Sequence, residues 1–141
     1  MSPSNPYSQY QQNEVNSAEP GKLTLMLYNG AVKFNSLAIK YLEEKNIEKT
    51  NYYIQKVQAI ISELMVTLNP EIELSKNLMS LYDYINRRLI EANIKKDRQI
   101  LLEVQELLEE LRDTWNEALK VLKKEKNVDK EVGSEKSAVA L

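Results

Sequence analysis

The side chains best suited to catalysis or metal binding are scarce in this chain of 141 residues. It contains no cysteine and no histidine, so it lacks thiol nucleophiles, zinc–thiolate sites and the usual general base. A di-iron carboxylate site in a helical bundle needs a Glu-x-x-His pair from each of two helices, which this sequence cannot supply. We therefore expect no cofactor, no metal and no enzymatic activity.

The remaining polar clusters are typical of solvated helix surfaces. The stretch Tyr82–Arg88 contains two tyrosines and two arginines that could bind an acidic ligand, but this spacing is more often the edge of a core beside a solvated face. The acidic residues of the last predicted helix could hold a hard cation, yet no Asp-rich calcium loop accompanies them. No Ser, Thr or Lys arrangement is recognisable as a nucleophile with its base.

The charges are spread too evenly along the chain to predict nucleic-acid binding. The net charge is −2; residues 1–70 carry six basic and six acidic side chains, and residues 71–141 carry thirteen and fifteen. A nucleic-acid-binding protein normally concentrates basic residues on one face. No apolar run approaches the length of a membrane span, and the N-terminus lacks the basic-then-apolar order of a signal peptide. We expect a soluble, cytoplasmic protein that does not insert into membranes.

Hydrophobic periodicity predicts four long helices and no strand. The prolines stand at positions 3, 6, 20 and 70, either in the N-terminal segment or at helix starts, where proline is tolerated. The predicted helices span about 20–44, 47–68, 71–93 and 97–124. Asn46 and Asp97 mark the boundaries before the second and the fourth helix. Because the connections are short, sequential neighbours should be antiparallel. The sequence thus predicts an all-α, up-down-up-down four-helix bundle over residues 17–126, with a mobile segment 1–16 and a disordered tail 127–141.

The first predicted helix carries more apolar residues than one buried stripe requires. Ser17 can cap it, and Pro20 fits its first turn. A bundle helix needs about three apolar positions in seven, whereas here an almost unbroken run is formed by Leu23, Leu25, Met26, Leu27 and Tyr28. The pair Gly30–Ala31 would let another segment approach the backbone closely. Two interpretations stay open: a helix buried on several sides by its own bundle, or a docking surface for another protein.

Several blocks of the sequence resemble the family of flagellar secretion chaperones called FliS. In chain order the blocks are Tyr10–Val15, Ala18–Ala31, Glu71–Leu78, Leu81–Leu89, Glu91–Asn93 with Asp97, and Leu111–Trp115. Each block alone is a weak match, but the combination is specific. The resemblance implies a cytoplasmic four-helix bundle that binds the C-terminal segment of flagellin, prevents its premature polymerisation and delivers it to the type III export gate protein FlhA.

The resemblance and the surplus of apolar residues together predict a client-binding surface, the client being flagellin. We expect it to include Tyr10, Leu23, Met26, Leu27, Tyr28, Leu78, Tyr82 and Ile85. The family resemblance implies that Tyr10–Val15 lies over part of this surface when flagellin is absent, which lowers the cost of an exposed apolar patch. The alternative is a self-associating structural or regulatory bundle without a flagellin client. The Lys/Glu-rich tail 127–141 departs from the family pattern and leaves the role of the C-terminus open.

Overall fold

A computed structural model describes the backbone of residues 21–140 and the side chains of residues 21–129. Within this range the chain forms four α-helices and no strand: α1 (Lys22–Glu43), α2 (Ile47–Val66), α3 (Glu73–Lys95) and α4 (Arg98–Ala140). Helices α1 and α3 each pack against both α2 and α4, so the four helices occupy the corners of a square in chain order. The predicted all-α four-helix bundle is confirmed.

Contacts at the two ends of α1 fix the direction of α4. At the start of α1, the carbonyl oxygen of Gly21 accepts a hydrogen bond from Trp115 Nε1 at 2.8 Å. At the end of α1, Glu43 forms an ion pair with Arg98, the first residue of α4, at 2.8 Å. The two helices are therefore antiparallel, and the short connections reverse the chain between each of the other pairs. This confirms the up-down-up-down order.

The two polar residues at predicted helix boundaries, Asn46 and Asp97, cap the helices that follow them. Asn46 precedes α2, and its side-chain oxygen accepts a hydrogen bond from the backbone N–H of Lys49 at 3.1 Å. Asp97 precedes α4, and its carboxylate accepts one from the N–H of Gln99 at 2.9 Å. Each oxygen satisfies a backbone donor that has no partner within its helix.

Helix ends were predicted less well than helix existence. Helix α1 begins at Lys22 rather than Pro20, after Gly21 at φ +89° and without a side-chain cap; Ser17 and Pro20 lie outside the described residues. Helix α4 continues to Ala140, sixteen residues beyond the predicted end at Lys124. The predicted helix ended too early because residues 125–140 are rich in lysine and glutamate, which are strong helix formers. The division into segments 1–16, 17–126 and 127–141 stays a prediction.

The core lies along the axis of the bundle and is drawn from all four helices. Its fully or almost fully buried apolar side chains are Leu27, Tyr28, Ala31, Ala38, Ile54, Val57, Ile61, Leu64, Tyr82, Ile85, Leu89, Ala92, Ile100, Leu101, Val104 and Leu108. We call the end where α1 and α3 begin the base of the bundle. Helix α4 passes the base and projects beyond it, since every side chain from Lys120 to Asp129 is exposed. None of the helices between residues 21 and 140 combines the length and apolar character that a membrane span requires.

Candidate binding site: an apolar groove at the base of the bundle

Two adjoining cavities open at the base, between the end of α2 and the start of α3. Their volumes are about 350 and 190 Å³, and both are lined by Leu68 and Ser75. We call the combined feature the base groove and define it by its apolar walls, which are Leu68, Ile72, Leu74, Leu78, Met79 and Trp115. Helices α3 and α4 and the connection between α2 and α3 contribute these walls, and Thr24 of α1 also lines the smaller cavity. The groove is therefore a product of the assembled bundle.

The connection between α2 and α3 shapes one side of the base groove. Asn69 precedes Pro70, and a residue before proline is pushed out of the helical region, so α2 must end here. The side chain of Asn69 then accepts a hydrogen bond from the N–H of Glu71 at 3.0 Å, and its backbone carbonyl accepts one from the N–H of Ile72 at 3.1 Å. This tight turn leads directly into α3, and the side chains of Pro70 and Ile72 line the groove.

The groove has an exposed apolar rim. The side chains of Ile72 and Leu74 are 53% and 59% exposed, and Met79 is 42% exposed. Leu74 lies one helical turn before Leu78 and so belongs to the same apolar stripe, yet it is exposed rather than buried in the core. Leu74 faces the groove, which no described residue fills. Apolar side chains grouped around a cavity are the feature that an apolar segment of a partner would cover.

The floor of the groove includes Tyr82, whose phenol pairs with that of Tyr28 in the core, and both groups are uncharged. The hydroxyls of Tyr28 and Tyr82 are hydrogen-bonded to each other, and both side chains are 1% exposed. Burial raises the pKa of both phenols above the ordinary value of 10.0, and the bond to Tyr82 raises the pKa of Tyr28 further. Both groups stay protonated at neutral pH. Trp115 meets the ring of Tyr28 edge-on, with 6.2 Å between centroids.

The chain enters α1 beside this groove. Gly21, whose carbonyl bonds to Trp115, has no room for a side chain, since a Cβ there would lie 2.7 Å from Leu119 Cδ2 and 3.3 Å from Trp115 Cζ2. Its φ of +89° is also a conformation that favours glycine. The twenty preceding residues are thus joined to the described chain at a fixed point on the edge of the base groove.

The predicted client-binding residues do not all lie on a surface. Leu78 is half-buried and lines the groove, and Tyr82 forms part of its floor. Leu27, Tyr28 and Ile85 are 7%, 1% and 0% exposed. These three side chains are buried in the core of the described conformation, and their role in client binding stays a prediction. They belong to the core because the helix positions that seemed surplus are used for internal packing.

Three further predicted residues lie elsewhere. Leu23 and Met26 are half-buried near the base on α1, and Leu23 packs against the core. Tyr10 lies outside the described residues. Their role in client binding stays a prediction.

Sequence reasoning did not assign Leu68, Ile72, Met79 or Trp115 to a site. The only available signal was the cluster of apolar residues on both sides of Asn69–Pro70, at a place where a helix must stop. Of the described residues that line the two cavities, Lys76 alone is charged. Across the part of the chain whose side chains are described, no group of three or more acidic residues is placed to hold a metal ion. The apolar walls of the groove are suited to binding apolar side chains.

Comparisons with known proteins point to a single family. A family model described as "Flagellar protein FliS" matches residues 3–122. A protein of Bacillus subtilis (strain 168), named flagellar secretion chaperone FliS, is 52% identical over 92 residues, which cover 65% of this chain and 69% of that protein. A Campylobacter jejuni protein of the same name is 35% identical over 65 residues, which cover 46% of this chain and 51% of that protein.

A solved structure shares the fold. It is described as the crystal structure of a flagellar chaperone from bacteria, and it superposes with a TM-score of 0.68. The match covers 81% of this chain and 94% of that chain at 23% sequence identity. At this level of identity, the likeness supports the architecture of the bundle.

Proposed function

The chain belongs to the FliS family of flagellar secretion chaperones, and from this premise we propose that it binds the C-terminal segment of flagellin in the cytoplasm before export. Binding would keep flagellin from polymerising early. The complex would then be delivered to the flagellar type III export apparatus through the gate protein FlhA. The family is one of chaperones and not of enzymes, which agrees with the lack of cysteine and histidine.

The observation that carries the proposal is the base groove with its exposed rim. A client that is disordered before binding gains affinity by burying apolar side chains along an extended surface, and it needs no catalytic group from its partner. The groove offers about 350 and 190 Å³ of space with apolar walls. Ile72 and Leu74 extend the apolar surface beyond the cavities, where a bound segment would cover them.

The N-terminal segment is proposed to cover the client surface when flagellin is absent. Support comes from Gly21, which holds the start of the described chain against Trp115, a wall of the groove. The block Tyr10–Val15 is close to this point in sequence and could reach the groove, since the eleven residues from Tyr10 to Gly21 can span at most about 36–40 Å.

Calorimetry with purified flagellin tests the proposal directly. We expect a one-to-one complex with full-length flagellin and a loss of binding when flagellin lacks its C-terminal segment, because that segment supplies the apolar contacts. Equal affinity for both forms would contradict the proposed function. Self-association that persists unchanged on addition of flagellin would support the alternative of a structural bundle.

A pair of matched variants tests whether flagellin binds at the base groove. Leu74→Asp places a charge on the rim of the base groove, whereas Ile94→Asp places one at the opposite end of the same helix. The two side chains are 59% and 78% exposed, so neither variant should unfold the bundle. We expect Leu74→Asp to weaken flagellin binding at least tenfold, about 1.4 kcal/mol, and Ile94→Asp to leave it unchanged. Equal flagellin affinities of the two variants would show that flagellin does not bind at the base groove.

A further inference from the structure

Helix α1 contains a pair of residues that is prone to spontaneous chemical change. Asn29 is followed by Gly30, whereas every other asparagine of the chain is followed by a residue with a side chain. The backbone nitrogen after an asparagine can attack the carbonyl carbon of its side-chain amide. A following glycine hinders this attack least, because it has no Cβ and the widest conformational freedom. Asn29 is therefore the asparagine whose local sequence best favours loss of its amide.

The side chain of Asn29 is open to water. It is exposed, and so are Lys22 and Lys33, which lie on the same outer side of α1. The neighbouring Tyr28 and Ala31 point the other way and are only 1% and 0% exposed. The amide of Asn29 is therefore not shielded by burial from the hydroxide that promotes the attack.

The helical backbone blocks this reaction while α1 is intact. In an α-helix the N–H of residue 30 donates to the carbonyl of residue 26, so the nitrogen of Gly30 is already engaged. The helical ψ angle of Asn29 also holds its side-chain carbon away from that nitrogen. The reaction thus requires a local opening of the helix, and its rate reports the fraction of chains that are open.

Contacts with other helices, rather than a cap of its own, hold the start of α1 closed. The helix begins without a side-chain cap and without an acidic residue in its first turn. Two hydrogen bonds to other helices oppose its opening. The carbonyl of Gly21 accepts one from Trp115 Nε1 at 2.8 Å, and the hydroxyl of Tyr28 pairs with that of Tyr82. An opening that frees Gly30 from the N-terminal side must break both.

We infer that Asn29 is a site of spontaneous deamidation, gated by the anchoring of α1 to Trp115 and Tyr82. In the open segment, the nitrogen of Gly30 forms a bond to Cγ of Asn29, and the Cγ–Nδ2 bond breaks. Ammonia leaves with the proton that the Gly30 nitrogen gives up, and a cyclic imide remains. Water then adds to either carbonyl and opens the ring to aspartate, or to isoaspartate, in which the main chain runs through the side-chain carbons. Water is the only co-reactant.

The two products affect α1 differently. Isoaspartate lengthens the main chain by a methylene between positions 29 and 30, so the helical hydrogen bonds across this point no longer align. The packing of Gly30 on α2 depends on that alignment, since even a Cβ on Gly30 would lie 3.1 Å from Ile60 Cδ1. Aspartate keeps the helical backbone and stands four residues before Lys33, a favourable spacing for an ion pair. Isoaspartate should therefore weaken α1, whereas aspartate should not.

Incubation of the purified full-length protein at mildly alkaline pH, followed by peptide mass spectrometry, tests the inference. Asn77 is the internal control, because it is exposed near the start of α3 but is followed by Leu78. In the folded protein we expect Asn29 to convert faster than Asn77 by about tenfold or more. In urea, where no helix restrains Gly30, conversion should be faster again by about tenfold or more. Conversion of Asn29 no faster than that of Asn77, or equally fast with and without urea, would overturn the inference.

A variant of the anchor tests the gating. Trp115→Phe removes the N–H that bonds to Gly21, whereas Ile61→Val removes a methyl group from the core on α2, where Ile61 is 0% exposed. Urea unfolding measures the stability of both variants, and conversion rates are compared at urea concentrations that make these stabilities equal. We expect Asn29 to convert about threefold faster or more in Trp115→Phe, because only this variant loosens the start of α1. Equal rates would show that Asn29 reacts through global unfolding, and the proposed gating would be wrong.

Separation of the products tests the effect on α1. Chromatography resolves the isoaspartate form from the unmodified protein, and the variant Asn29→Asp supplies the same charge with a normal backbone. We expect the isoaspartate form to unfold at a lower temperature than Asn29→Asp. The variant Asn29→Gln, whose longer side chain reacts far more slowly, should stay unmodified under the same incubation. Equal unfolding temperatures of the isoaspartate form and Asn29→Asp would contradict the expected damage to α1.

Discussion

At the scale of single residues, two buried polar pairs set the relative positions of the helices. The hydroxyls of Tyr28 in α1 and Tyr82 in α3 join helices at opposite corners of the bundle. The amide of Asn35, 0% exposed, donates to the carbonyl of Leu101 at 3.0 Å and to the side chain of Gln105 at 2.8 Å. Such groups bind water when the chain is unfolded, so in the core they favour the one arrangement in which they find partners.

The tyrosine pair should behave as a coupled unit on substitution. Tyr28→Phe and Tyr82→Phe each leave one buried hydroxyl without its partner, and we expect each to lower the free energy of unfolding by about 1–3 kcal/mol. The double variant removes both polar groups at little change in shape, so its loss should be clearly smaller than the sum of the single losses. Urea unfolding of the four proteins measures this cycle. Strictly additive losses would show that the hydroxyls do not depend on each other.

At the scale of the elements, hydrophobic periodicity predicted the helices and their order but not which apolar residues at the helix ends are exposed. All four helices and their order follow from apolar residues repeated every three or four positions, because such stripes require a common core. The same pattern continued into Ile47 and Leu74, which are 49% and 59% exposed. At the end of a helix, an apolar residue of the stripe is buried only if the neighbouring helices extend far enough to cover it. The base groove could not be predicted for this reason: among the residues that the structure describes, none beyond the turn at Asn69–Pro70 covers the start of α3.

The start of α1 is the element boundary that depends most on one residue. Gly21→Ala places a Cβ in a left-handed conformation and against Leu119, so we expect a loss of about 1–2 kcal/mol in the free energy of unfolding. Gly30→Ala is the matched control, since Gly30 is helical and its Cβ would meet only the flexible end of Ile60 at 3.1 Å. The control should cost less. Trp115 fluorescence reports on the same contact and should change in Gly21→Ala alone. Equal destabilisation by both variants would mean that the backbone conformation of Gly21 is unimportant.

At the scale of the whole molecule, the bundle and the C-terminal half of α4 are held together differently. Helix α4 has 43 residues, about 65 Å at 1.5 Å per residue, whereas the other helices have 20 to 23 residues and span about 30–35 Å. Beyond Leu119 the described side chains are exposed, so this part of the helix rests on its own propensity. Isolated helices of that length are marginal in water. The projecting segment should therefore lose its helical structure before the bundle does.

Truncation after Lys124 tests this division of the molecule. We expect the free energy of unfolding to stay within about 0.5 kcal/mol of the full-length value, because the side chains of residues 125–129 are exposed and surface changes of this kind are usually that small. Circular dichroism at low temperature should show less helix, and the gradual loss of signal before the main transition should disappear. Truncation after Arg112 is the contrasting control, since it removes Trp115 and Leu119 and with them the anchor of Gly21. A marked loss of stability on truncation after Lys124 would mean that the last residues of the chain pack against the bundle.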